Sequence, residues 1–426
     1  MLVYSKLVGV DERGSMSVLE LRISGRLEVP LAICLSLLVQ TMIALFGASL
    51  PVLAPAIAAD TGWNVNLIAF YGPILYLAAF LFSFQVPNVL RLTGGMGLSL
   101  ICVGLSGIGL SLLLPMNLAL AALAPLALGA ANGGMNPASS QILGPRSTPR
   151  TAGLIMAIKQ TGVPLGGVLA GLVIPALVLR SGWRGAVTEL VLAGVIVVFG
   201  LLPTVRWLNG EQKSHAKPFR PLEPIRRFLA LDGMGSFIVS AMTVVALQQC
   251  LRSFFTVYLV HSVGFSLGAA GLAFGVSQGA GIVGQILWAV AADRLLRPHT
   301  VMGIIGMLLA IAAALTAAFT PDWPLAGILV VAMLFGLTAA GFIPVVLGEV
   351  ARRSPPAEIG AMTAGANIFL IASMLVAPLA FGAIASSLSY AAGFLALSGF
   401  AFAGAIVALA AVQKAKCRVR ADSERH

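Results

Sequence analysis

A chain of 426 residues that is 59% hydrophobic and only 10% charged has too little polar surface for a soluble domain, so it reads as an integral membrane protein. Its formal net charge of +11 is scattered over short polar stretches and accompanies no recognition module, which argues against a nucleic-acid partner. Cys34, Cys102 and Cys250 fall in apolar runs and Cys417 near the carboxyl terminus. No disulfide framework, metal site or cofactor is expected from such placement.

In chain order, residues 1–29 form a polar amino-terminal tail, with Met16 as an alternative start. The first apolar run is too long for a cleavable signal peptide and is followed by further spans. Six predicted spans follow at 31–57, 66–88, 97–115, 118–139, 151–179 and 185–203, giving an amino-terminal bundle over 30–203. Residues 204–228 are basic and proline-bearing, and read as a linker. Six more spans at 230–260, 267–291, 300–319, 325–346, 359–383 and 389–412 make a second bundle over 229–412, and 413–426 is a tail. Each run supplies the ~20 residues that a helix needs to cross a ~30 Å hydrocarbon core. Helices are expected because a span must satisfy its own backbone hydrogen bonds, and the alternation of a membrane barrel strand is absent.

All but four of the 26 Lys and Arg residues lie in the tails and in alternate loops. Of those four, Arg180 and Arg184 lie in the opposite loops, and Lys159 and Arg252 inside spans. The positive-inside rule therefore places both termini and the linker in the cytoplasm of a multi-pass protein of the plasma or inner membrane.

The halves echo each other. "GMNPASSQILGPRSTPRTAG" (134–153) and "GFIPVVLGEVARRSPPAEIG" (341–360) share, at one constant offset, Gly134/Gly341, Pro137/Pro344, Arg146/Arg353, Ser147/Ser354, Pro149/Pro356 and Gly153/Gly360. A duplicated six-helix unit of this kind commonly builds transporters whose halves rock about a midplane site. After the eighth span, "AVAADRLLRP" carries Asp293, Arg294 and Arg297 in the arrangement of a known loop signature, with Ala289 and Leu296 in place of its glycines. The first-half copy, "VPNVLRLTGG", keeps Arg91 but has Leu90 at the acidic position.

On helix count, halves, linker and these loop motifs, the whole chain resembles the major facilitator superfamily. The resemblance implies an all-α membrane protein, with 12 transmembrane helices in two pseudo-symmetric six-helix bundles. It also implies that Asp293 and Arg294 tie helices together at the cytoplasmic gate, with Arg91 and Arg297 as companions. Leu90 puts an equivalent first-half latch in doubt. The family's fifth-helix antiporter motif is matched in part by Gly153, Gly162, Gly166 and Gly171, with Gly167 at its proline position and the proline moved to Pro164.

Physically, Pro164 removes a backbone donor and bends the fifth span, so Gly162, Pro164, Gly166 and Gly167 form a packing and hinge segment. Gly162, Gly166 and Ala170, four residues apart, offer a face for close helix approach. Lys159 precedes Gly166 by seven residues and Ala170 by eleven, which sets it within about 20° of that face. An ionised side chain at mid-span costs about 2.5–3.5 kcal/mol and marks a pathway or site; the competing reading is a lysine that snorkels to the interface.

In the seventh span, Gln248, Arg252 and Thr256 recur every fourth residue, flanked by Gln249. Further amides are Gln40, Asn132, Asn136, Gln160, Gln278, Gln285 and Asn367, and Tyr71 and Tyr76 are candidate hydrogen-bonding partners. Spans three, six, nine and twelve lack mid-span Asn, Gln or charged residues apart from Glu189 near the outer end of the sixth, as helices peripheral to a wet cavity would. Two cations without a mid-membrane carboxylate point to an anion. The expected substrate-binding set is Lys159, Arg252, Gln160, Gln248, Gln249, Gln40, Asn136, Gln278 and Asn367.

The expected function is transport of a small anion, such as an organic carboxylate, by alternating access; no catalytic residue is expected. The expected partners are that anion and the lipid bilayer, with a coupling proton left open, in a monomer. A proton-coupled exporter of amphiphiles is the alternative, and a non-transporting membrane sensor a more remote one. No phosphate-binding loop or nucleophilic triad argues for an enzyme.

Overall fold

The computed structural model describes residues 25–63, 70–209, 220 and 222–423. The polar tail up to residue 24, Met16, and linker residues 210–219 lie outside them.

The chain is helical throughout the described residues: α1 (Gly25–Thr61), α2 (Tyr71–Ser83), α3 (Val86–Ser111), α4 (Leu118–Leu143), α5 (Ala152–Gln160), α6 (Gly162–Leu201), α7 (Thr204–Asn209), α8 (Glu223–Ala230), α9 (Met234–His261), α10 (Leu267–Val290), α11 (Pro298–Ala317), α12 (Leu325–Ala339), α13 (Phe342–Arg353), α14 (Ile359–Ser387) and α15 (Tyr390–Ser423). Ten stretches among the described residues are long and apolar enough to cross a bilayer. Two of them turn back on themselves at a glycine. Gly94 (φ 70°, ψ 178°) and Gly182 (φ 70°, ψ 172°) occupy a backbone region essentially restricted to glycine. Residues 86–93 therefore complete the span begun by α2, residues 95–111 make the next, and α5 with α6 supplies two spans. Twelve spans result among the described residues.

Polar residues set the element ends. Asn117 Oδ1 accepts from the N–H groups of Ala119 and Leu120 to start α4, and Ser266 Oγ caps α10 through Ala269 N, as N-cap chemistry requires. The linker begins as a helix: α7 brings Asn209 to the Gly94 turn, where it accepts from Met96 N (2.9 Å) and donates to Thr93 O (2.8 Å). The remaining differences from the sequence reading are of length. Part of 204–228 is helical, α1 begins before residue 30, and α15 runs on past 412 to Ser423.

Buried apolar side chains gather into two cores. One is built from α1 to α4, the α5–α6 pair and Leu208 of α7, with Leu347 and Ala364 reaching in from the second half; the other comes entirely from Phe228 onward. The bundles meet where α2 and α4 pack on α14, and where α5 packs on α13 and α10. Helices α11 and α15 pack chiefly on each other, away from that seam.

Candidate functional site

A cavity of about 120 Å³ lies on the seam, walled by both bundles. The first bundle contributes Tyr76 from α2, Asn132 and Asn136 from α4, and Gln160 and Pro164 from the α5–α6 junction. From the second come Gln248 and Arg252 on α9, Gln278 and Gln285 on α10, and Met374 on α14. The four-residue spacing of Gln248 and Arg252 is one helix face, and that face turns to the cavity. Arg252 is exposed there. Thr256, on the same sequence stripe, does not line the cavity. Gln285 is 6% exposed, and its Oε1 has no partner among the described residues.

The junction between α5 and α6 explains the wall's geometry. Pro164 has no N–H to give the carbonyl of Gln160, so the helix loses one bond beside Thr161, which itself stays helical (φ −60°, ψ −17°), and Gln160 and Pro164 both face the cavity. Beyond this point the small residues behave as their spacing requires. A Cβ on Gly162 would meet Gln40 Cβ at 2.9 Å, and one on Gly166 would meet Ala44 Cβ and Thr41 O at 2.6 Å. Ala170 is buried. Helix α6 thus lies directly on α1. Gly167 corrects the sequence reading: a Cβ there meets nothing within 4 Å, because it sits a quarter-turn round from Gly166 and faces away.

Lys159 is also placed differently from a cavity-lining cation. Its side chain is 0% exposed, one layer behind the wall. Nζ donates to Asn136 Oδ1 (2.8 Å) and Gln160 Oε1 (3.2 Å), and both of these residues do line the cavity. Gln40 stands behind them, donating to Gln160 Oε1 at 3.5 Å. The same close packing of α6 on α1 draws Lys159 inward, since it projects from the face that α1 covers. Its tip goes neither to lipid nor to the membrane surface.

Other expected site residues divide. Gln249 accepts from Tyr76 Oη (3.2 Å) and so joins the bundles beside the cavity. Asn367 is buried and donates to Gly133 O (3.2 Å), a second tie between the bundles. Tyr71 donates to Gly47 O within the first bundle.

The bundles are latched on the face that carries α7 and α8, called here the linker face. Asp293, whose side chain is 1% exposed, accepts from Gly153 N (3.0 Å) and Leu154 N (2.8 Å) at the start of α5. A carboxylate there meets both free N–H groups and the positive end of the helix dipole. The approach is tight: a Cβ on Gly153 would lie 2.7 Å from Asp293 Oδ1, and one on Gly348 only 2.8 Å from Gly153 Cα.

Asp293's cationic partner is Arg352 (Nη1 to Oδ1, 2.7 Å), whereas Arg294 and Arg297 are exposed because the turn after α10 points them outward. Arg352 also meets Glu349 (3.0 Å), itself 3% exposed and held by Arg353 (2.5 Å). The spacing of Glu349, Arg352 and Arg353, three and four residues apart, is a helix-face ion-pair pattern that could have revealed this cluster in the sequence.

At the corresponding first-half position an amide stands in place of the carboxylate. Leu90 packs against Gly360, and Gln141 caps α14 by accepting from Gly360 N at 2.8 Å. Gln141 also approaches the carbonyls of Pro356 (3.5 Å) and Ala357 (3.4 Å). Arg91 is half-buried nearby on α3.

Comparison with known proteins agrees with this architecture. The family model described as Major Facilitator Superfamily matches residues 35–249 and 237–424. An uncharacterized MFS-type transporter of Mycobacterium tuberculosis is 29% identical over 178 residues, which are 40% of this chain and 38% of that protein. The chain therefore spans about two-fifths of the curated relatives it matches. Among solved structures, the human organic anion transporter MFSD10 (TETRAN) superposes with a TM-score of 0.68 at 17% identity, covering 91% of this chain and 100% of that one. The fucose:proton symporter FucP of E. coli has a TM-score of 0.68 at 14% identity over 90% and 98%. A bacterial homologue of the iron transporter ferroportin gives 0.66 at 17% over 90% and 98%. Identities this low speak to the fold.

Proposed function

The chain belongs to the Major Facilitator Superfamily, and from that premise we propose that it carries a small anion across the plasma or inner membrane by alternating access. Residues 30–203 and 229–412 are the moving bundles, and both termini and the linker face lie in the cytoplasm.

The observation that carries this reading is Arg252, exposed to a cavity whose other polar lining groups, among the described residues, are amides, the Ser277 hydroxyl and a phenol, with no carboxylate. A guanidinium in such a setting recruits a carboxylate or other oxyanion through paired N–H donors. Gln248, Gln278, Asn132 and Asn136 supply hydrogen bonds to its body, and Lys159 adds positive charge from behind Asn136 and Gln160. A cavity of about 120 Å³ compares with the ~150 Å³ that accepts a benzene ring, so the substrate class is a compact anion. The solved proteins of this fold have different cargoes in their names, an organic anion and fucose among them. Residues in the cavity, not the fold, must therefore argue the substrate.

The alternative of amphiphile export rested on the fifth-span glycines, and Gly162 and Gly166 are occupied in packing α6 on α1. The Asp293 latch joins the two bundles at the linker face. Transport requires that latch to break while the opposite ends of the bundles approach.

The test is ligand-dependent thermal unfolding of purified protein, followed by uptake into proteoliposomes. The panel is lactate, succinate, isethionate, phosphate and a lipophilic cationic dye. A ligand that prefers the native state raises the melting point, by ~2.7 kcal/mol of stability at a hundredfold excess over its Kd. At least one anion is expected to stabilise the protein and to enter vesicles, with both effects lost in Arg252→Gln. Stabilisation by the cationic dye alone, or anion uptake untouched by Arg252→Gln, overturns the proposal.

A further inference from the structure

Lys159 poses a problem that a binding role alone does not solve. As an ammonium it has three N–H donors, and it finds two acceptors, Asn136 Oδ1 and Gln160 Oε1. The neutral amine has two N–H donors, which these acceptors satisfy completely, and its lone pair is left free. Unmet donors and unpaired charges are costly away from water.

Among the described residues no neighbouring carboxylate compensates. On the elements packed against α5, the ionisable groups sit at the ends. Asp293 and Arg294 after α10, and Glu349, Arg352 and Arg353 on α13, are at the linker face, where Asp293 and Glu349 are already bonded to arginines. Asp293 engages α5 at Gly153 and Leu154, roughly 8 Å along the helix from Lys159 at 1.5 Å per residue. Glu28 on α1 pairs with Arg146. Asp60 on α1, and Arg180, Arg184 and Glu189 on α6, pair among themselves at the opposite end. Cys34 on α1 is exposed, and α4 carries no titratable group. Across the cavity stand Tyr76 and Arg252. Of the two cations beside the cavity, Lys159 is the amine whose charge can change.

We propose that Lys159 is the coupling-proton site of this transporter, neutral over an empty cavity and protonated when an anion occupies it, so that anion and proton cross together. The step forms one N–H bond from the amine lone pair and breaks one O–H bond of a hydronium, which is left as water, on the side to which the cavity is open. It is reversed on the other side after the anion leaves. Asn136 and Gln160, which touch both Nζ and the cavity, are the contact between the two sites. An anion beside them offsets the burial of the new ammonium, and by linkage the proton raises anion affinity by the same factor that the anion raises proton affinity. The inference rests on the anion reading above.

Isethionate is the informative probe, because a sulfonate stays ionised at neutral pH and cannot carry the proton itself. Full-length protein is reconstituted in liposomes containing a pH-sensitive dye, the membrane potential is clamped, and labelled isethionate and luminal acidification are followed together, with succinate as a second probe. Wild-type protein is expected to bring in one proton per isethionate, and to accumulate isethionate against its gradient when the outside is acidic. Lys159→Gln and Lys159→Arg, whose folding is checked by gel filtration and thermal unfolding, are expected to show no proton movement with whatever flux remains.

Isethionate uptake by wild type without acidification overturns the assignment, and does so without any variant having to fold. So does proton uptake that persists in Lys159→Gln. If wild type carries neither anion while the cationic dye is transported, the anion reading itself has failed, and this inference with it.

Discussion

Replacing Asp293 by Asn tests the linker-face latch most directly. The carboxylate makes three bonds, but they are not equivalent for the conformational equilibrium. Arg352 belongs to the same bundle as Asp293, so their 2.7 Å pair can persist when the bundles separate. Only the bonds from Gly153 N and Leu154 N join one bundle to the other. Hydrogen bonds to a charged group net about 1.5–3 kcal/mol, against about 0.5–1.5 for a neutral pair. The helix-dipole contribution of ~0.3–1 kcal/mol disappears with the charge. Asparagine keeps one acceptor at the same place, so Asp293→Asn should weaken the closed state by about 1–3 kcal/mol. That corresponds to a ~5- to 150-fold shift in the closed-to-open ratio.

The assay is double electron–electron resonance on spin labels at Arg150 and Leu295, both exposed on the linker face in opposite bundles, in a cysteine-free background in nanodiscs. The variant should gain a long-distance population that is minor in the parent. An unchanged distance distribution in a folded variant refutes the argument that α5's N–H groups hold this gate.

The converse perturbation lies in the other half. Gln141→Glu places a carboxylate at the start of α14, where Gly360 N already bonds the amide oxygen, and should deepen the closed state by ~0.3–1 kcal/mol, read as a smaller long-distance population with the same labels. In the α1–α6 contact, Gly166→Val must displace Ala44 and Thr41 from 2.6 Å and should cost about 1–3 kcal/mol, seen as a lower thermal midpoint in detergent. Gly167→Val, into open space, should stay within ~0.5 kcal/mol of the parent.

On α8, the Glu223 carboxyl is held below the usual glutamate range first by the Arg227 side chain and then by the N–H of Arg220. A group whose folded value is depressed contributes stability above its unfolded value of ~4.3 and loses it as pH falls through the folded one. Amide exchange over residues 223–230 should therefore accelerate below about pH 4, and this acid step should vanish in Arg227→Gln.

The spans could be read from the sequence because lipid gives the backbone no hydrogen-bonding partners. Run length and charge-free interiors are then nearly sufficient to define a helix, and the alignment of 134–153 with 341–360 exposes the duplication. Arg252 could be found by the same logic, since its stripe with Gln248 is a local property of one helix. Asp293 stood out through its loop motif. Its partner did not, because Arg352 lies 59 residues away on a helix that reaches the latch only after the bundle has folded. Arg294, adjacent in sequence, is directed outward by the turn after α10.

Lys159 divides the two kinds of knowledge most clearly. Helical periodicity placed it on the small-residue face of its span, a matter of residue spacing alone. Whether that face meets water or another helix depends on what packs there. Gly162 and Gly166 lack the side chains that would keep α1 at a distance, so α1 closes over the face, and the lysine is left behind Asn136 and Gln160 instead of in the cavity. Periodicity fixes an angle about a helix axis; only the assembled neighbours decide what lies in that direction.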